Sequence, residues 1–393
     1  PQPAALDRPI STEIGTSPHI TANRETQVKR RGFIRSAGIG APAALAATVL
    51  AAPAIAQARI EWRMVTTWPK NFPGLGVGAE RLAKRIGDMS GGRLNVRVFS
   101  AGELVPPLQS LDAVIQGSAE MSHGASYYWQ NKSRGLNFFT GVPYGMTSRE
   151  LSAWVRYMGG QEIWDEIYDK FGVKGFISGD TGTQAGGWFK KELTGVADIQ
   201  GLKFRTPGLG GAVWAKLGAT VTNLAAGEIF QQLQSGGLDA AEFVGPMNDL
   251  ALGFFQVAKN YYFPSFIEPG LATELAVNKS KFTALPKDLQ LIIETACQAE
   301  YDQVASDFYA KDPPALAILV ERHGVKVLQF PDEILKAGAD AALAVLTEVR
   351  QSDDPLTRKA AESFVKALGV LRTRTELIDS PFLRAREKYF KIS

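Results

Sequence analysis

The sequence has little of what most catalytic centres need. It contains one cysteine, Cys297, and three histidines, His19, His123 and His323. A single thiol cannot close an internal disulfide, and Cys297 lies in the apolar helical run LIIETACQAEY, so we expect it to be a small core residue. The chain has no His/Cys cluster, no HExxH and no GxSxG motif. These absences argue against the familiar metal, serine and cysteine hydrolases.

Excess charge is also missing from the main part of the chain. The whole sequence has 43 basic and 40 acidic residues, and residues 1–56 hold six of the former and three of the latter, which leaves 37 of each in 57–393. A chain without net charge has no polyelectrolyte signature, so we do not expect a nucleic acid partner.

Long apolar runs are absent after residue 57. No later segment reaches about 18 apolar residues without a charge, so we expect a soluble mature protein. Composition is that of an ordinary globular chain, with 45% hydrophobic and 21% charged residues, and the length suits two medium domains or one large one.

The N-terminal segment predicts export. KRRGFIRS (29–36) is a twin-arginine pair followed by two apolar residues, an Ala-rich apolar stretch comes next, and AIA (54–56) is a small-residue cleavage site. We interpret 1–56 as a leader with a twin-arginine export signal, cleaved after Ala56, which predicts a periplasmic protein. A membrane anchor is disfavoured because the stretch is Ala-rich and falls short of about 20 strongly apolar residues.

The mature chain alternates between strand and helix patterns. Residues 59–124 indicate a β-α-β-α-β order, and a second set of short strands and helices covers 173–245. VIQGSAEMSHG (114–124) and LQSGGLDAAEFVG (233–245) resemble each other, which suggests two similar lobes. We expect an α/β fold with 57–180 mainly in lobe 1, 181–280 mainly in lobe 2, and a helical region, 281–393, that crosses back to lobe 1.

One glycine-rich segment resembles a nucleotide-binding motif without its context. GLGVGA (74–79) follows a strand, but PKNFP separates the two, which is too long for the tight turn of a dinucleotide fingerprint. We expect these small residues to serve helix–sheet packing.

Polar residues near strand ends are the remaining candidates for a site. Arg205 lies two residues before the end of LKFRTP, Gln184 precedes a strand, Glu242 lies in a short apolar strand, and Glu268 follows SFI. Strand ends in open α/β sheets face the crevice where ligands bind. A guanidinium matches a carboxylate, and carboxylate and amide oxygens suit a hard cation, so the set predicts a site for an anion plus a cation.

Several motifs carry a family resemblance. TWPKNFP, SAGELVPP, ASYYWQNK, TGTQAGGWF, GLKFRTPGLGG, EFVGPMNDLALG and EPG occur in order along 58–393. Together they resemble the periplasmic solute-binding subunits of TRAP transporters, in particular the subgroup that binds 2-oxo acids such as pyruvate. The resemblance implies a two-lobed periplasmic binding protein fold with a central cleft and a helical C-terminal extension.

The resemblance also implies roles for individual residues. Arg205 would hold the substrate carboxylate, with the substrate-binding residues Gln184, Glu268 and Tyr128 around it. Gln184, the carboxylate of Glu242 and the carbonyl of Phe243 would bind Na⁺, with Ca²⁺ as the alternative. The sequence departs from the family at Phe243, which is usually Trp, at Met247, which is often Tyr, and before Glu268, where a Trp-His pair is missing.

Two functions stay open on the sequence. The first is a binding protein without chemistry that delivers a small organic acid to a TRAP-type permease. The second is a secreted enzyme acting on carboxylic acids, with Glu242 or Glu268 as a general base. The resemblance further implies a homodimer in which the two chains exchange a long C-terminal helix. The alternative is a monomer whose last helices wrap both lobes.

Overall fold

The computed structural model describes residues 59–391, in which two β-sheets are covered by helices. The expected leader and export signal, 1–56, lie outside the described residues. No helix within 59–391 is both long and apolar enough to cross a membrane.

The first sheet begins with an alternating segment whose apolar side chains Trp62 and Met64 point into the core. Its strand order is β2-β1-β3-β10-β4, with β1, β2 and β3 parallel and β10 antiparallel to both neighbours. Its strands are β1 Ile60–Thr66, β2 Leu94–Phe99, β3 Met121–Gly124, β4 Val173–Asp180 and β10 Ala272–Asn278.

The second sheet has six shorter strands in the order β11-β9-β5-β8-β6-β7. β6 pairs in parallel with β7 and β8, whereas β5 is antiparallel to β8 and β9. Its strands are β5 Gly187–Phe189, β6 Lys203–Arg205, β7 Thr220–Thr222, β8 Ala240–Ala241, β9 Asn260–Phe263 and β11 Lys326–Gln329.

Helices cover both sheets and dominate the C-terminal part. They are α1 Leu75–Met89, α2 Ser110–Ile115, α3 Ser148–Tyr157, α4 Gly160–Asp169, α5 Gly208–Lys216, α6 Ala226–Ser235, α7 Pro246–Leu252, α8 Lys279–Ala284, α9 Lys287–His323, α10 Asp332–Arg350, α11 Pro355–Arg374 and α12 Ser380–Tyr389.

The resemblance between 114–124 and 233–245 marks a repeated structural unit. Each lobe contains a βαβαβ unit, β1-α1-β2-α2-β3 in one and β6-α5-β7-α6-β8 in the other. The first strand of each unit lies between the other two, in the orders β2-β1-β3 and β7-β6-β8. The expectation of two similar α/β lobes is confirmed.

Two short crossover segments connect strands of one sheet directly to strands of the other. Residues 181–186 lead from β4 in the first sheet to β5 in the second, and residues 264–271 return from β9 to β10. The crossovers bond to each other, because the Gln184 amide donates to the Glu268 carbonyl at 3.1 Å and the Ser265 amide donates to the Gln184 carbonyl at 2.9 Å. They therefore form a short two-stranded hinge.

The strand pairing crosses the expected lobe boundaries twice. β10 falls inside 181–280, yet it pairs with β3 and β4 in the first sheet, and β11 falls inside 281–393, yet it pairs with β9 in the second. A sequence-local boundary misses this exchange because each sheet takes strands from segments far apart in the chain.

The long helix α9 contacts both lobes, packing on α1 and β4 in the first and on α7 in the second. Of its expected apolar stripe, Leu289, Ile293, Ala296 and Val304 are buried and Ile292 is half-buried. Cys297 is buried in the same helix, as expected for a core residue, and burial raises the pKa of its thiol.

A buried carboxyl group lies in the core of lobe 1. Glu274 in β10 is 1% exposed, and it accepts hydrogen bonds from the Trp129 indole and, at 2.6 Å, from the Tyr168 hydroxyl. Burial raises the pKa of this carboxyl group to about 7, although both hydrogen bonds oppose the rise. The folded protein therefore binds this proton more tightly than the unfolded chain does.

We predict that the wild-type protein loses stability as the pH rises and that Glu274→Gln removes this loss. The favourable contribution of protonated Glu274 is complete below its unfolded pKa and is lost as the pH rises towards about 7. Relative to the variant, the wild-type free energy of unfolding should fall by about 1–3 kcal/mol between pH 5 and pH 8, measured by urea denaturation.

Glu120 provides the matched control. Burial would raise the pKa of its carboxyl, but the hydrogen bonds and charge of Arg63 outweigh burial and lower that pKa. Glu120→Gln should therefore differ from wild type by a nearly constant free energy of unfolding between pH 5 and pH 8, because the contribution of ionised Glu120 is lost only as the pH falls below its unfolded pKa. Equal pH profiles for wild type and Glu274→Gln would contradict the prediction.

Candidate functional site

The expected site residues converge where the two lobes meet. Arg205 ends β6, and Glu242 directly follows β8, the neighbouring parallel strand, so both lie at the same edge of the second sheet. Gln184 and Glu268 lie on the two crossovers, and Tyr128 lies in a 3₁₀ turn after β3 in the first lobe. Their exposed fractions and that of Phe243 run from 1% to 9%.

Arg205 is held by backbone carbonyls. Its Nε and Nη2 donate to the Leu224 carbonyl at 3.1 and 2.9 Å, and its Nη1 donates to the Glu242 carbonyl at 2.6 Å. The Glu242 carboxylate lies 4.0 Å from Nη1, and the Phe243 ring centroid lies 5.3 Å from Cζ. These bonds use three of the five guanidinium N–H groups, so each terminal nitrogen keeps one donor for another partner.

Three polar groups of Gln184, Glu242 and Phe243 meet beside this guanidinium. One terminal atom of the Gln184 amide lies 2.7 Å from Glu242 Oε1 and 3.0 Å from the Phe243 carbonyl oxygen. When this atom is nitrogen, it donates to both oxygens and the Gln184 oxygen accepts from Thr181 Oγ1 at 3.0 Å. When it is oxygen, the amide nitrogen donates to Thr181 and three oxygens face one another.

The second orientation has the chemistry of a cation site. One carboxylate, one amide oxygen and one backbone carbonyl are the hard ligands that Na⁺ or Ca²⁺ takes, and they repel each other unless a positive charge lies between them. Within 59–391, no three His, Cys, Asp or Glu side chains are grouped for a metal ion. A metal here would therefore depend on amide and carbonyl oxygens.

Glu268 contributes a second buried carboxylate. Its Oε2 has no hydrogen-bond partner among the described residues, and its backbone N–H donates to Ser265 Oγ at 3.0 Å. A Cβ on Gly141 would lie 2.2 Å from Oε2, so only glycine leaves room for the carboxylate at that position.

Electrostatics set the protonation preferences of this cluster. Burial raises the pKa of Glu242, with Arg205 opposing the rise and Asp249 adding to it. Burial also raises the pKa of Glu268, with Glu242 adding and Arg205 opposing. A positive charge placed among these carboxylates would relieve their repulsion.

Aromatic side chains enclose the site from the first lobe. Tyr128 lies edge-on to Tyr127, with ring centroids 4.8 Å apart, and 6.3 Å from the Trp68 ring. Phe72 meets Phe243 of the second lobe edge-on at 5.8 Å. Burial raises the pKa of Tyr128, and Arg205 opposes that rise through its charge.

One cavity adjoins the cluster and another lies away from it. The first, of about 240 Å³, is lined by Gln184 together with Thr181, Thr183, Gly245 and Asp312. The second, of about 450 Å³, lies on lobe 1 between α3, α4, β4 and α9 and contains none of the expected site residues. The expected site residues therefore lie at the buried cluster and not in the second cavity.

Some participants were missing from the sequence interpretation. Leu224 and Thr181 act through a carbonyl and a hydroxyl that no motif distinguishes. Tyr127 was visible only as a neighbour of Tyr128 in ASYYWQNK, yet both rings are buried at the site. Trp68 and Phe72 stand in TWPKNFP, a motif that carried the resemblance without an assigned role.

Comparison with known families agrees with this geometry. The model of the bacterial extracellular solute-binding protein family 7 matches residues 64–353, which is most of the chain. The chain belongs to this family. Its members bind solutes for transport and are not enzymes, so the alternative of a secreted enzyme is not supported. The predicted periplasmic location agrees with an extracellular family.

Three relatives are similar over most of the chain. A monocarboxylate 2-oxoacid-binding periplasmic protein of Nostoc is 40% identical over 330 residues, covering 83% of this chain and 90% of that protein. A TRAP periplasmic solute-binding protein of Pseudoalteromonas atlantica, solved with sodium and pyruvate, is 38% identical, with a TM-score of 0.80 over 83% of this chain and 99% of that one.

The third relative is a TRAP transporter solute-binding protein of Bordetella bronchiseptica, solved as a mixed-occupancy dimer with copurified calcium and picolinate. It is 34% identical, with a TM-score of 0.81 over 84% of this chain and 99% of that one. The expected two-lobed α/β periplasmic binding protein fold and the resemblance to TRAP solute-binding subunits are thereby confirmed.

Proposed function

We propose that the protein captures a small 2-oxo acid or similar monocarboxylate together with a metal cation and delivers it to a TRAP-type membrane permease. The observation that carries this proposal is the pairing, inside one buried cleft, of a guanidinium that keeps two donors beyond its main-chain bonds and of an amide, a carboxylate and a carbonyl that can turn three oxygens to a cation. Such a pair suits a carboxylate and its counterion at once.

Arg205 binds the substrate carboxylate in this proposal. The carbonyls of Leu224 and Glu242 hold its guanidinium in place, so little side-chain entropy is lost when the acid binds. Tyr128 lies on the first-lobe side, and Glu268 and the Gln184 amide lie on the hinge side. Residues from both lobes and the hinge then surround one small ligand.

The cation is held by Gln184, Glu242 and the Phe243 carbonyl. Its positive charge offsets the substrate carboxylate, which adds a further negative charge beside Glu242. Na⁺ is the proposed cation, because a single carboxylate among the ligands suits a single positive charge. Ca²⁺ is the alternative, because Glu268 lies close enough to Glu242 to add a second negative charge near the cation. The sodium and calcium in the two similar solved structures support both.

The proposed class of ligand is supported by the relatives as well as by the site. One similar protein is named for monocarboxylate 2-oxo acids, and one similar structure contains pyruvate. The aromatic enclosure by Tyr128, Trp68, Phe72 and Phe243 favours a small acid. We further propose that the leader, 1–56, directs export by the twin-arginine route.

A homodimer is part of the proposal and depends on the C-terminal helix. α12 packs mainly on the turn Thr375–Asp379 that precedes it, so it projects beyond the lobes. The apolar side chains of this turn, of α12 and of the residue that follows it are exposed between 46% and 74%: Leu377, Ile378, Phe382, Leu383, Tyr389 and Phe390. Covering this surface with a second copy would give a closed two-fold dimer, as the dimeric relative supports.

The first prediction concerns Arg205→Ala, measured as pyruvate binding in sodium buffer by calorimetry. Loss of charge-assisted hydrogen bonds worth roughly 1.5–3 kcal/mol each should weaken binding at least about 100-fold. Arg63→Ala, which removes a half-exposed guanidinium paired with Glu120 in lobe 1, is the matched control and should bind as wild type. An Arg205→Ala protein with wild-type affinity would refute the assignment.

The second prediction concerns the cation. Wild-type protein should bind pyruvate more tightly in sodium buffer than in choline buffer with a chelator, and Glu242→Gln should reduce that difference because it removes the only carboxylate of the oxygen group. Glu120→Gln should leave the difference unchanged. Equal wild-type affinities in the two buffers would show that no cation is coupled to binding.

The third prediction concerns assembly. The chain from residue 57 should have twice the monomer mass by light scattering at micromolar concentration, and Phe382→Asp combined with Leu383→Asp should yield monomers. Leu343→Asp, at a 64% exposed apolar position of α10, should leave the mass unchanged. A wild-type monomer at micromolar and at nanomolar concentration, the latter measured by mass photometry, would rule out the dimer and leave the binding site unaffected.

A further inference from the structure

The tetrapeptide PGLG occurs at the N-terminus of the first helix in each βαβαβ unit. PGLG occurs at 73–76, at the start of α1, and again at 207–210, at the start of α5. The first glycine of each copy has a positive φ, 66° at Gly74 and 61° at Gly208. The two copies therefore occupy equivalent places in the two lobes.

The backbone of each PGLG copy forms a hydrogen bond with an asparagine side chain from the opposite lobe. Asn137, which follows β3 in lobe 1, accepts a hydrogen bond at Oδ1 from the Leu209 amide at 3.1 Å. Asn248, which follows β8 in lobe 2, donates from Nδ2 to the Pro73 carbonyl at 2.7 Å. Both asparagines are fully buried. Because β3 and β8 are equivalent strands, these contacts are related by the internal repeat.

The glycines allow this close approach. A Cβ on Gly208 would lie 2.9 Å from Asn137 Oδ1 and 3.2 Å from the Tyr127 Cβ. A Cβ on Gly74 would lie 2.8 Å from the Phe308 ring and 2.9 Å from the Met247 methyl group. A side chain at Gly208 would therefore clash with Asn137 and Tyr127 of the opposite lobe, and one at Gly74 would displace Phe308 and Met247.

Both hydrogen bonds require the lobes to be together. The acid proposed above could reach Arg205, which is 1% exposed, only after the lobes separate. Separation exposes the Leu209 amide, which lies in the first turn of α5, where a helix has no internal acceptor. It also breaks the hydrogen bond of Asn248 to Pro73, the single one that the structure describes for that side chain.

We propose that Asn137 and Asn248 form a pair of closing contacts, one on each side of the cleft, that determine how long the lobes stay closed over a bound acid. They position the lobes and do not contact the ligand. The identity of the ligand depends on the proposed function, whereas the contacts themselves do not.

The kinetic test uses stopped-flow binding of pyruvate in sodium buffer. Asn248→Ala, and Asn248→Leu with a side chain of similar volume, should each raise the off-rate about two- to tenfold, as expected for one lost hydrogen bond, and leave the on-rate within about twofold. Asn137→Ala should do the same, and the double variant should approach the product of the two factors because the contacts are separate.

Asn260 is the matched control. It is also a buried asparagine that donates to a backbone carbonyl, Phe189 at 3.2 Å, but both partners belong to lobe 2. Asn260→Ala should lower the thermal midpoint of the ligand-free protein and leave the off-rate unchanged. Asn248→Ala, unlike Asn260→Ala, should raise the off-rate. Wild-type off-rates for both Asn248 variants would overturn the proposal.

Hydrogen exchange tests the contact without relying on affinity. The Leu209 amide should be protected in wild-type protein with pyruvate and sodium, and Asn137→Ala should abolish that protection. If pyruvate does not bind, the proposed function fails, and the same comparison is made in the ligand-free protein. A Leu209 amide that exchanges at its intrinsic rate in wild-type protein under both conditions would overturn the closing contact itself.

Discussion

The guanidinium of Arg205 is the charge on which the arrangement between the lobes depends. A buried cation requires compensation, and the second lobe supplies part of it through the carbonyls of Leu224 and Glu242 and a carboxylate 4.0 Å away. The compensation is incomplete in hydrogen bonds, and two carboxyl groups, those of Glu242 and Glu268, are buried near one arginine. A site of this kind is suited to an anion that takes the remaining donors and a cation that offsets the added negative charge.

The hinge and the proposed cation site share the same stretch of backbone. Gln184 lies on one crossover and Glu268 on the other, and a hydrogen bond of 3.1 Å joins their main chains. Side chains on a hinge keep their relation to both lobes as these move, whereas Arg205 and Tyr128 are carried apart by opening. The proposed site therefore has residues of two kinds: those that would stay assembled at the hinge and those that closure would bring in.

The sequence identified the strand-end residues well and the connections between them poorly. Arg205, Glu242 and Gln184 could be selected because charged and amide groups are unusual beside short apolar strands in an open α/β sheet. The Leu224 carbonyl could not be selected, since every residue has one. The pairing of β10 with β3 joins residues about 150 positions apart, and no local pattern encodes such a register. The role of PGLG was equally hidden, because small residues before a helix suit packing as well as contact with another lobe.

The long helix α9 has a mechanical consequence for the two lobes. It lies on β4 and α1 in one and on α7 in the other, and it contains Pro313 and Pro314 where Asp312 accepts a hydrogen bond from the Met247 amide. Two consecutive prolines remove two main-chain donors, which makes this point the most easily bent in a helix of 37 residues. Because α9 packs on both lobes, any movement of one lobe against the other would have to be accommodated at this proline pair.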